Sequence, residues 1–387
     1  MGLRRKDIDW LRIFGILLLF PYHTARVFDA NEANYVENIT KIRAGEVFMN
    51  VTWPWFMPLL FLLAGISACY ALRKRSGRAF IMERVQRLFI PLVLSTLLIV
   101  PIQGYLARLQ EGTLHGGYLS YFFTQFLPDF SDLSGYHGTF TPAHLWFILY
   151  LFVISLVVLP ILTAVLKRRA KAGVGAFGRL FEREWFLLIL FIPLLLSEAL
   201  PDIAGKNPFT FGLYYVIGFF IASNEASWKA IDRFKWLSAA LVAVSAALFL
   251  VFQSLPYGTG DYSWQSIVFG LIHNLYGWSA LLTLLAFARI FLNRGGKVLE
   301  YLSQAAFPVY VLHQSVLMVV AYFVVQWNMA AGAKFWLILF GALAASFAVY
   351  EVFRRIPPLC VVLGVKASKP KLIRVRPDHA RSWSSRS

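Results

Sequence analysis

The stretch Asp9-Trp10-Leu11-Arg12-Ile13-Phe14-Gly15-Ile16-Leu17-Leu18-Leu19-Phe20-Pro21-Tyr22-His23 is apolar almost throughout, yet it carries ionisable groups at both ends. Such groups are costly at membrane depth, so they are rare there and usually functional. His23 follows Arg12 by eleven positions. At about 100° per residue the two return to nearly the same helix face, roughly 16 Å apart along the axis. A cation near one membrane surface and a titratable imidazole more than halfway across suit a long anionic molecule whose reactive end must reach the far side.

The rest of the chain places this stretch in a membrane. Of 387 residues, 58% are hydrophobic and 15% are charged, where a soluble chain carries about a quarter charged residues. Apolar runs of bilayer length recur near 10–28, 52–72, 88–106, 145–166, 185–200, 209–223, 236–253, 266–292, 306–326 and 334–353. The expected fold is an all-α polytopic membrane protein of about ten transmembrane helices. The basic residues before the first run could belong to a signal peptide. The region after Pro21 offers no good small-residue cleavage site, however, and Arg12 interrupts the approach, so the run is read as a retained span.

Charge gives the orientation. With residues 1–12 inside, the alternating inner segments hold 31 of the 37 Lys and Arg. Arg26, Lys41, Arg43, Arg108, Lys206 and Lys334 remain outside. That asymmetry puts both termini in the cytoplasm. It also accounts for the net charge of +17 by orientation and anionic-lipid contact rather than by nucleic acid. Residues 1–360 read as one transmembrane domain, and 361–387 as a basic cytoplasmic tail with too few apolar residues to fold. Cys69 and Cys360 lie in or beside apolar segments, so neither a disulfide framework nor a metal site is expected. The longest outer loop, 106–144, holds Asp129, Asp132 and His137 and is long enough to fold over the mouth of a cavity.

Several constellations can carry chemistry. Asp9 and Arg12 can pair along one face, and a neutral His23 in a polar-lined cavity can accept a proton. Arg84 and Arg87, at a spacing of three, can clamp phosphate oxygens through bidentate hydrogen bonds or simply anchor the inner boundary. His144 and Trp146 sit at the outer start of the fourth span, either as an aromatic belt or facing an acceptor. Tyr310, His313 and Gln314 form a polar stripe in the ninth span, which is either interhelical glue or part of a site. Ala64, Gly65 and Ala68 read as a small-residue packing face.

Together these segments resemble the membrane-bound acyltransferase-3 family. Arg12 through His23 fits its Arg-x10-His signature, and Arg84 through Arg87 its Arg-x-x-Arg signature. Phe61 to Ser67, His144-Leu145-Trp146-Phe147 and Tyr310-Val311-Leu312-His313 fall where the family carries similar strings. Tyr350-Glu351-Val352 and Arg355-Ile356-Pro357-Pro358-Leu359 resemble the corresponding junction of members that succinylate periplasmic glucans. The resemblance implies a multi-pass protein of the bacterial inner membrane with no permanently bound cofactor. The resemblance also implies succinyl-CoA or acetyl-CoA as co-substrate and a periplasmic glucan or surface polysaccharide as acceptor. It further implies Arg84, Arg87 and Arg12 on acyl-CoA, with His23 as general base and Arg12 assisting. His144, Trp146, Tyr310, His313 and Asp9 are implied to orient the acceptor or aid proton transfer. The rival class is a transporter or flippase for a glycan or anionic metabolite, in which the same Arg and His line a pathway. Transporters often show internal repeats, and none is visible. A scaffold of this fold that has lost catalysis is a third class, and the intact Arg12, His23, Arg84 and Arg87 argue against it.

Overall fold

Proline and small residues set the breaks and close contacts of this helical chain. The computed structural model describes residues 5–131, 135–136, 138–172, 176–254 and 263–365. Helices α1 (Lys6–Val27) and α2 (Arg43–Leu72) continue through Pro21 and through Pro54 and Pro58. The next apolar segment is interrupted: α3 (Gly77–Arg84), a π turn (Val85–Phe89), α4 (Ile90–Leu98) and α5 (Pro101–Glu111). Pro91 has no N–H for the Arg87 carbonyl four residues back, and the wider π winding lies at that break. The outer segment contains α6 (Tyr118–Tyr121) and a second π turn (Phe122–Phe126).

A 3-10 turn (Ala143–Leu145) leads into α7 (Trp146–Val157), which meets α8 (Leu159–Ala172) at a bend of 47° beside Pro160. Short helices α9 (Ala176–Leu180) and α10 (Phe191–Glu198) flank a 3-10 turn (Glu184–Ile189). Then come α11 (Pro208–Ser223), α12 (Glu225–Arg233), α13 (Lys235–Ser254) and α14 (Trp264–Phe291). The chain closes with α15 (Lys297–Val324), α16 (Ala331–Phe353) and α17 (Pro357–Val362). Among the described residues no strand forms, and one isolated bridge pairs Ile203 with Lys206.

Each of the ten apolar runs falls on one of these helical stretches. Among the described residues six helical stretches, α3–α5 counted as one, are long and apolar enough to cross a membrane, or seven with the bent pair α7–α8 taken as one span. Near the expected boundary at 360, α17 runs to Val362, and Leu363 is fully buried. The remainder of the expected tail, like Asp132 and His137 of the outer loop, lies outside the described residues.

Helix α1 packs against α2, α14, α15 and α16. This brings His23, near its C-terminal end, into the interior. Helices α2 and α11 cross at backbone contact: a Cβ on Gly65 would lie 1.8 Å from the Tyr215 carbonyl oxygen, and one on Gly218 2.1 Å from that of Leu62. Small residues permit this approach where apolar burial gives helices no drive to associate. Charge locks both ends. At the end with the basic loops, the Trp228 ring lies 4.1 Å from the Arg5 guanidinium and 4.9 Å from that of Arg289. Arg289 in turn makes two 2.9 Å bonds to Asp232. At the opposite end Lys334 is buried and donates to Asn38 and to the Val325 carbonyl.

Candidate functional site

Three histidines from three distant parts of the sequence meet inside the bundle. The His313 ring centroid lies 5.2 Å from that of His23 and 4.9 Å from that of His144. Helix α1 supplies His23, the 3-10 turn before α7 supplies His144, and the middle of α15 supplies His313. Ala143 holds a φ of +46°, a conformation uncommon for a residue with a side chain, directly before His144. Its N–H bonds to Thr141 Oγ1 at 2.9 Å, which helps fix the turn.

The hydrogen bonds assign different tasks to the rings. His144 is buried; its Nε2 lies 3.0 Å from the Val311 carbonyl, and its Nδ1 lies 3.3 Å from Gln103 Nε2. A carbonyl only accepts, so Nε2–H donates and the neutral Nδ1 receives the amide N–H. Gln103 gives its second N–H to Ser315 Oγ at 2.7 Å, and Ser315 donates to the Ile99 carbonyl at 3.0 Å, at the α4–α5 break. Tyr310 donates its hydroxyl to the His144 carbonyl. His313, fully buried, spends Nδ1–H on the Tyr310 carbonyl, leaving Nε2 without a partner. His23 is only partly buried, and neither of its nitrogens bonds to a described residue.

Two cavities meet at this cluster. One of about 420 Å³ is polar, bordered by Arg26, Asp29, Asn31, Glu32, Glu46 and Asn50 at the end away from the basic loops. The other, about 720 Å³, has an apolar wall from Phe89, Leu92, Val93 and Leu97 of one helix face and Leu149 of α7. His23, His144, Tyr136, Trp146 and Lys206 border both. Phe140, Thr141 and Pro142 of the long loop cover the larger one. A third cavity of about 180 Å³, lined by Glu198, Asp202 and His273, adjoins the polar one at Trp53, Met57 and Lys206 and the larger one at Gly205 and Lys206.

Lys206 is the cation at this junction. Its ammonium lies 5.5 Å from the Trp53 ring centre and 5.6 Å from that of Trp146. It has no ion pair among the described residues. Burial pushes it below the ordinary lysine range, while Glu32 and Asp202 pull it back up and Arg26 depresses it further. It ends a two-residue turn in which Ile203 and Lys206 exchange backbone bonds of 2.9 and 3.1 Å. Ala204 and Gly205 between them have φ of +49° and +69°, the type I′ arrangement. Tyr150 of α7 donates its hydroxyl to the Ile203 carbonyl and ties the turn to the cavity wall.

The structure thus brings His23, His144, Trp146, Tyr310 and His313 together. It places the other expected residues toward the basic end, outside the lining of these cavities. Arg12 bonds to Asp9 at 3.1 Å and to Ser67 at 2.9 Å. Arg84 and Arg87 straddle the entry to the π turn, whose winding carries them out of simple α-helical register. Arg84 lies 4.5 Å over Phe80 with a buried, unpartnered Nε, while the exposed Arg87 pairs with Glu83 at 3.5 Å. Sequence reasoning did not single out Gln103 or Lys206. A glutamine inside an apolar segment was a visible signal for the first; for the second, only an apparent loop between Pro201 and Pro208 was available.

No curated protein and no solved structure matches the chain. A family model described as the acyltransferase domain, of the acyltransferase-3 type, matches residues 5–351, nearly the whole chain. The chain therefore belongs to the acyltransferase-3 family and is a membrane transferase of acyl groups.

Proposed function

We propose that the protein is a ten-span enzyme of the bacterial inner membrane, with both termini cytoplasmic. It moves a succinyl or acetyl group from cytoplasmic acyl-CoA to a hydroxyl of a periplasmic or surface glycan. The observation that carries this reading is the placement of His23, an imidazole with open nitrogens where an apolar cavity meets a polar one. The apolar cavity suits the pantetheine arm and thioester, and the polar one suits a sugar. Arg84, with an uncommitted buried N–H, and Arg87 hold the CoA phosphates, and Arg12 assists at the basic end. A sugar hydroxyl gives its proton to His23 as it attacks the thioester carbonyl, and the proton then passes to the departing thiolate. His144, held by Gln103 and Val311, and Tyr310, bonded to the His144 backbone, keep the cluster in place.

Within the family the likeness reaches to glucan biosynthesis protein C, through the junction of Tyr350, Glu351, Arg355 and Pro357-Pro358. Here Glu351 accepts from Tyr301 at 2.9 Å and pairs with Arg354 at 3.0 Å, a knot that fixes the end of α16. This likeness favours a succinyl donor and a periplasmic glucan. The test is transfer from isotopically labelled acyl-CoA to a glucan by the purified protein and by His23→Ala. The expected result is labelled sugar with the parent and a loss of roughly 10²- to 10⁴-fold in the variant, the range for a general base. Label that never reaches sugar, or equal transfer by His23→Ala, overturns the reading.

A further inference from the structure

Lys206 has the features of a recognition group. It borders all three cavities, and its ammonium lies 5.5 and 5.6 Å from two indole rings, near Glu32 and Asp202 but in no ion pair with a described residue. The turn that presents it includes Ala204 at positive φ, a conformation that a non-glycine residue adopts at a cost. Aromatic walls exclude water, and a charge in such surroundings interacts more strongly with a counter-charge than one in bulk solvent.

An anionic group that pairs with Lys206 can enter with either of the two substrates. The polar cavity carries Asp29, Glu32 and Glu46, and its Arg26 is already bonded to the first two. An acidic balance of this kind repels an anionic acceptor. Among the described residues the lining of the larger cavity includes no carboxylate, and its apolar wall leads to the same lysine. Its occupant can carry negative charge to Lys206 along that wall.

We infer that Lys206 selects acyl donors bearing a carboxylate at the far end of the acyl group, the half-thioesters of short dicarboxylic acids; this rests on the acyl-transfer reading above. In the transfer the thioester C–S bond breaks and an ester C–O bond forms. The sugar hydroxyl proton goes through His23 to the thiolate, which leaves as the CoA thiol. Lys206 keeps its protons and pairs with the distal carboxylate before and after the step. A compact ammonium suits the task, because it can meet a single carboxylate without needing a planar fork of partners.

The experiment compares succinyl-CoA and acetyl-CoA with the full-length protein in lipid nanodiscs and a neutral glucan acceptor. The parent is expected to prefer succinyl-CoA in kcat/KM. Lys206→Met should lower the succinyl-to-acetyl ratio about 10- to 100-fold, the range for losing a bond to a charged group. Lys206→Arg should keep most of the preference. A parent that prefers acetyl-CoA, an unchanged ratio in Lys206→Met, or an equal loss with both donors overturns the inference. Equilibrium binding of the two thioesters to His23→Ala, with and without Lys206→Met, reads the same preference without turnover. If no glycan is ever acylated, the transfer reading fails. A binding preference that disappears with Lys206→Met still supports the lysine assignment, and one that persists overturns it.

Discussion

His313 is fully buried, with one nitrogen committed to its own helix and the other lone pair unpartnered between two imidazoles. Leaving a buried polar atom unsatisfied costs about 1–3 kcal/mol, so packing alone would favour an apolar side chain there. The ring centroid instead stands 5.2 Å from that of His23, the proposed base, close enough for the His313 imidazole to influence the proton taken from a hydroxyl. His313→Leu is therefore expected to keep the unfolding midpoint in detergent near the parental value while lowering kcat about 10- to 100-fold. Parental kcat in that variant would show that the histidine only fills space. The polar stripe of Tyr310, His313 and Gln314 was legible in the sequence because polar residues at helical spacing stand out in an apolar segment. Its convergence with His23 and His144 was not, since nothing local says which faces of α1, α7 and α15 meet. Gln103 illustrates the same limit: its hydrogen bond to His144 depends on the α4–α5 break beside it.

The elements were easier to read than their interruptions. Apolar length located every major helix, yet the π turn at Val85–Phe89 and the bend before α8 arise from prolines whose effect depends on context. Proline passes without a break in α2 and in α15 at Pro308, because neighbouring helices compensate. That π turn also explains why a spacing of three did not keep Arg84 and Arg87 on common partners. The small-residue face of α2 was correctly legible, and its partner α11 carries the matching Gly218. Gly65→Val should lower the yield of folded protein and the unfolding midpoint, with a cost of several kcal/mol, because rigid backbone blocks its Cβ. Gly332→Ala is the control, with open space around its Cβ. Equal stability of Gly65→Val and the parent would refute the contact between α2 and α11.

At the scale of the molecule, the arrangement separates two chemistries along one axis. Basic side chains gather at one end, an acidic polar cavity opens toward the other, and the histidine cluster lies where that cavity meets an apolar one. The gathering of Lys and Arg in alternating segments was visible in the sequence, and the positive-inside tendency is the reason the basic end is proposed to face the cytoplasm. The cavities were not legible, since they arise from helix breaks and from the approach of Tyr136, Phe140, Thr141 and Pro142 to the larger one. In the proposed reaction donor and acceptor approach from opposite sides. The most direct measurement uses proteoliposomes of known orientation, with a neutral glucan sealed inside and labelled acyl-CoA added outside. Label should appear on lumenal glucan where the basic end faces outward, and should vanish with His23→Ala. Label that forms only when both substrates are on one side, or that survives loss of His23, would contradict transfer across the membrane at this cluster.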